Sequence, residues 1–107
     1  VTVEVRDLHH AAATLVDVAG PLAEAAADAL EAEWGRRPVR TREGGSIPIV
    51  ATFAEVLRVP VLLMGFGLED DRLHSPNEKF DVAHFYGGIR TVARFLDRAA
   101  AAGGGAG

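Results

Sequence analysis

The sequence predicts an α/β fold, with helices packed on a mostly parallel sheet. Three observations carry that expectation. Val1, Val3 and Val5 alternate with Thr2, Glu4 and Arg6, which is the two-residue period of a half-buried strand. Val61 to Met64 form an unbroken apolar run, the pattern of a strand covered on both faces. Stretches of helical spacing come between and after such segments, so the order reads strand, helix, strand, helix, strand, helix.

After the first strand, a short connection containing His9 and His10 ends at Asp17. Gly20 and Pro21 supply a cap and a first-turn proline, and Leu22, Ala26, Ala29 and Leu30 recur at helical spacing up to Trp34. Gly35 is suited to the left-handed stop that follows. Pro38 to Glu43 form the second strand, which Gly44 and Gly45 break. Ser46 then caps a helix from about Ile47 to Leu57, with Pro48 tolerated in its first turn. The apolar strand Val61 to Met64 leads into a polar loop, residues 65 to 81, longer than a compact domain normally carries without a use for it. Asp81 caps the last helix, and Phe80 and Phe85 have the spacing of a hydrophobic staple. Phe85, Ile89, Val92 and Leu96 line one of its faces. Gly87 and Gly88 lie inside it at a cost of roughly 1 kcal/mol each, which close packing against a neighbouring backbone would explain. Ala99 to Ala102 and the glycines after them offer nothing to bury, so a frayed tail is expected there, disordered over residues 103 to 107. Val1 enters a strand pattern directly and is not a methionine, which reads as a piece of a longer polypeptide.

The chain has 107 residues, a formal charge of -4, no cysteine and one lysine, Lys79. Without cysteine, disulfides and thiolate metal clusters are excluded, and any metal must be held by nitrogen and oxygen. The absence of a basic stripe argues against nucleic acid and anionic membrane surfaces as partners. No apolar run reaches the length of a spanning helix and no signal peptide is evident, so a cytoplasmic protein is expected.

Two segments could carry chemistry. In GFGLEDDRLHSPNEKFD, residues 65 to 81, His74 lies among carboxylates after a buried strand, where an open α/β sheet would place a metal ligand. An isolated surface histidine is also commonly just solvated. Glu69, Asp70 and Asp71 read as a solvated loop face, because the alternating oxygens of a calcium loop are missing. In the second segment, Glu43, Gly44, Gly45 and Ser46 precede a helix whose first N–H groups and serine hydroxyl could cradle an anion. A tight turn before a capped helix accounts for the same residues. His9 and His10 are neighbours and cannot chelate one ion from a strand, although one of them could face a ligand. His84, in the first turn of the last helix, reads as a surface residue.

Taken together, REGGSIPIVATF at residues 42 to 53 and GFGLEDDRLHSPNEKF at residues 65 to 80 resemble the C-terminal part of the dinuclear zinc exopeptidases. That family includes carnosinases, cytosolic nonspecific dipeptidases, aminoacylases, acetylornithine deacetylase and succinyl-diaminopimelate desuccinylase, and the paired motifs are most similar to the dipeptidase branch. The resemblance runs to about Arg98. It implies a partial three-layer sheet from a catalytic domain over residues 11 to 102, with residues 1 to 10 ending a lid domain and returning to it. It implies that His74 is a zinc ligand, and that Ser46, Gly45 and Gly44 contact the substrate carboxylate. It places Glu43 near the substrate ammonium group and matches His9 to a histidine of the returning strand, although the alanines at 11 to 13 depart from the family's glycine-rich surroundings.

The family needs two zinc ions, or manganese or cobalt in their place, a bridging aspartate in an HxD motif and a glutamate base, and this chain has no such motif. The parent is expected to be a homodimer that cleaves a peptide or amide bond beside a free carboxylate, in a small peptide or N-acyl amino acid. The segment alone is expected to be inactive. The competing readings are a non-catalytic module that binds a small anion and a structural domain without a site.

Overall fold

A computed structural model describes residues 1–8, 13–42 and 47–103. They fall into two compact units, one formed by Val1–Asp17 with Thr41–Leu62 and the other by Val18–Arg40 with Leu63–Gly107. The secondary structure is helical: α1 spans Pro21–Trp34, α2 spans Ile49–Leu57, a single 3-10 turn covers Glu69–Asp71, and α3 spans Val82–Gly103.

The expected sheet is not there. Among the described residues, 1–6, 38–42 and 61–64 form no strand, which overturns the α/β layer and the three-layer sheet with mostly parallel strands. Alternation shows only that one face of a segment would gain from burial. A strand also needs a neighbour to accept and donate its backbone hydrogen bonds. Val1, Val3 and Val5 instead stand exposed, and so does Val39.

In the first unit, α2 begins two residues later than the sequence predicts, with Pro48 at its cap and Val50 N–H donating to the Ile47 carbonyl at 3.0 Å. The expected Ser46 cap lies outside the described residues. Arg58 ends the helix in the left-handed region at φ 53, its N–H donating to Ala54 O at 3.2 Å. Val50 is the buried residue of this helix.

The second unit is built on α1 packed against α3. The punctuation of α1 follows the sequence, with Pro21 in its first turn and Gly35 closing it at φ 76, where the Gly35 N–H reaches Glu31 O at 2.9 Å. The buried face consists of Ala23, Ala25, Ala26, Ala27 and Ala29. Alanine loses little entropy in a helix and lets a neighbour approach closely. On α3 the buried residues are equally small: Gly87, Gly88 and Thr91.

Gly87 and Gly88 therefore have a packing role, but their neighbours are rings and not a backbone. A Cβ on Gly87 would lie 2.5 Å from the Trp34 ring, and one on Gly88 would lie 3.1 Å from Phe66. The Trp34 indole is fixed by its N–H, which donates to the Thr91 hydroxyl at 3.0 Å, while that hydroxyl donates to Gly87 O at 2.8 Å. Glu33 adds ion pairs to Arg90 at 2.6 Å and Arg94 at 3.4 Å. Arg37 joins Asp28 at 2.9 Å and Glu31 at 3.1 Å, and it also pairs with Glu24. The stripe of Phe85, Ile89, Val92 and Leu96 stays exposed. Ala99 to Ala102, expected to fray, continue the helix to Gly103, as the high helix propensity of alanine allows.

Candidate functional site

The loop before α3 is ordered from within. Leu68 is extended, and the 3-10 turn Glu69–Asp71 brings the Asp71 carboxylate back beneath it. Asp71 is almost fully buried, with 1% of its surface exposed. One carboxylate oxygen accepts the Leu68 N–H at 2.7 Å and the other accepts the Lys79 ammonium at 2.9 Å. Gly67 leaves room for this, since a Cβ there would stand 3.2 Å from the carboxylate. The Lys79 N–H donates to the Asp71 carbonyl at 3.0 Å, so main chain and side chain both tie residue 71 to residue 79. The ammonium also reaches Asp70 at 3.1 Å and Asp81 at 3.4 Å. The Leu68 N–H and the Lys79 ammonium hold the Asp71 carboxyl below the ordinary carboxylate range, and Asp71 with Asp70 pushes the Lys79 ammonium up.

Asp71 thus corrects the sequence reading of a solvated acidic run. The available signal was a lone lysine eight positions after an aspartate, across a turn-rich segment.

Between the tied ends the backbone takes left-handed conformations at Arg72 (φ 55), His74 (φ 59) and Asn77 (φ 61). Each costs a residue with a Cβ roughly 1–2 kcal/mol, less for asparagine, so the loop needs external support. Ser75 contributes some, its N–H and hydroxyl donating to Arg72 O at 3.1 and 2.6 Å. His74 is exposed in this loop. Among the described residues, no three His, Asp or Glu side chains come together to hold a metal. A hydrolytic zinc site takes about three protein ligands, more than the one histidine of this loop.

Glu43, Gly44, Gly45, Ser46 and His9, the expected substrate contacts, lie outside the described residues. His84 departs from its expected surface role. It is half-buried, its Nδ1–H donates to Phe66 O at 2.8 Å, and its ring lies 4.8 Å from that of Trp34. An open apolar groove of about 390 Å³ runs beside it, lined by Phe66, Phe80, Phe85, Gly88, Ile89 and Val92 as well as His84. Both residues of the expected staple, Phe80 and Phe85, border this groove, and Asp81 O accepts the Phe85 N–H at 3.0 Å at the start of α3.

Residues 1–98 match Peptidase family M20/M25/M40, and the chain belongs to that family. It is 49% identical over 72 residues to the Cys-Gly metallodipeptidase DUG1 of Saccharomyces cerevisiae, covering 67% of this chain and 15% of the yeast protein. The Candida albicans protein of the same name gives the same identity and coverage. Human Beta-Ala-His dipeptidase is 35% identical over 72 residues, 67% of this chain and 14% of the human protein. The matched part of the chain therefore spans about 15% of the length of these curated relatives. No solved structure matches the chain. Among the described residues, no helix is long and apolar enough to cross a membrane.

Proposed function

We propose that the chain is the C-terminal part of a metal-dependent dipeptidase that cleaves the peptide or amide bond next to a free carboxylate in a small peptide. The observation that carries this reading is His74, an exposed imidazole in an internally tied loop, within the residues 1–98 that match Peptidase family M20/M25/M40. An imidazole nitrogen suits zinc, manganese or cobalt, and in this cysteine-free chain nitrogen and oxygen are the available donors. When bound, a metal pair would supply a polarised carbonyl and an activated water.

The residues of this chain have narrower tasks. His74 would hold one metal. Gly44, Gly45 and Ser46 would take the substrate carboxylate through backbone N–H groups and a hydroxyl, and this is what would align the scissile bond. Glu43 would face the substrate ammonium, and His9 would approach from the returning segment. The remaining ligands and the general base belong to the rest of the enzyme, which is read as a cytoplasmic homodimer.

Metal removal tests this. The full-length polypeptide should hydrolyse a Cys-Gly-type dipeptide, lose that activity on chelation, regain it with zinc, manganese or cobalt, and spare the C-terminally amidated substrate. Hydrolysis that survives chelation, or that ignores the free carboxylate, would contradict the reading.

A further inference from the structure

We propose that the Asp71–Lys79 pair is a clasp that positions His74, making Lys79 and Asp71 positioning residues for metal binding. The inference rests on the reading of His74 as a ligand and adds how that ligand is held.

His74 is exposed, so packing does not set the direction of its ring. The backbone sets the position from which the side chain leaves the loop, and that backbone is under strain at Arg72, His74 and Asn77. A strained loop keeps one conformation only if its ends are fixed. Here they are fixed twice, by the Lys79 N–H on Asp71 O at 3.0 Å and by the Lys79 ammonium on the buried Asp71 carboxylate at 2.9 Å. The ammonium has three hydrogens and faces three carboxylates, Asp70, Asp71 and Asp81. Asp81 in turn immediately precedes α3 and its carbonyl accepts the Phe85 N–H, so the clasp ties the loop to the helix packed on α1.

An ion pair with a buried carboxylate and a half-buried ammonium is a poor way to gain stability, because desolvation of the carboxylate cancels much of the attraction, but it defines a geometry that apolar contacts would leave loose. Metal ligation needs that geometry. An imidazole displaced by an ångström loses its bond, and supporting residues of metal sites typically carry a 10- to 100-fold effect on affinity.

The test is a zinc competition titration on the full-length polypeptide, with helix content followed by circular dichroism and kcat and KM measured separately. Lys79→Met and Asp71→Asn should each weaken zinc binding by roughly 10- to 100-fold, with unchanged helix content and a fall in kcat larger than any rise in KM. The double variant should bind no more weakly than the weaker single, and Lys79→Arg, which keeps the charge, should recover part of the loss. Zinc affinity within about twofold of the parent in Lys79→Met, while His74→Ala loses metal, would overturn the clasp and leave the ligand in place. Full metal retention by His74→Ala would overturn the reading beneath it. If Lys79→Met loses helix content, the milder Asp71→Asn decides by the same two outcomes.

Discussion

The chemistry of the loop turns on a few side chains whose protonation can be followed directly. Asp71 is held below the ordinary carboxylate value of 3.8 because its charged form accepts the Leu68 N–H and the Lys79 ammonium. A depressed carboxylate contributes stability above its unfolded value and loses it as pH falls through the native one. Lys79, raised above 10.5 by Asp71 and Asp70, contributes below that value and loses its contribution only as pH rises through its native one. The clasp should therefore stay closed between those limits. The Leu68 amide proton shift should titrate with a midpoint below 3.8, and a midpoint at or above it would show that the carboxylate is not held as described. In the full-length polypeptide, Ser46→Ala should weaken substrate binding by about 1–3 kcal/mol, seen as a higher KM with little change in kcat. An unchanged KM would remove Ser46 from the carboxylate site. The sequence pointed to His74 and Ser46 through motif resemblance, but it hid Asp71. An aspartate in an acidic run looks solvated until the fold places a lysine above it.

Among the elements, α1 was legible from end to end because proline and glycine mark its boundaries by backbone geometry alone. The inner face of α3 was not. The apolar stripe of Phe85, Ile89, Val92 and Leu96 suggested the buried side, yet α1 packs on glycine and threonine, since alanine-faced helices gain most from close approach. This predicts different outcomes at adjacent glycines. Gly87→Ala puts a Cβ 2.5 Å from an indole fixed by Thr91, and should cost about 1–3 kcal/mol despite better helix propensity. Gly88→Ala meets Phe66 at 3.1 Å, where a slight ring shift suffices, and the propensity gain of roughly 1 kcal/mol should leave it near neutral. Thermal unfolding followed by fluorescence of Trp34, the one tryptophan, separates the two. Equal midpoints would contradict the packing.

For the molecule as a whole, the expected sheet failed for a physical reason. Val1, Val3, Val5 and Val39 have the residue types of strands, but backbone pairing is a property of neighbours, and the described residues supply none. Among the described residues, the buried apolar side chains are five alanines of α1 in one unit and Val50 in the other, while large side chains such as Phe53, Phe80, Phe85, Ile89 and Leu96 remain exposed. That much uncovered apolar surface fits a segment completed by further polypeptide in the proposed enzyme. The 107-residue chain by itself should bind a hydrophobic dye and fail to hydrolyse dipeptides. Turnover by the isolated chain would show that the ligands are all present within it. The central claim, that His74 holds a metal in a dipeptidase, is tested most directly by metal counting on the full-length polypeptide with and without His74→Ala. The account predicts that the variant loses at least one metal per chain and that turnover falls by roughly a hundredfold or more; full metal content with an unchanged rate would contradict it.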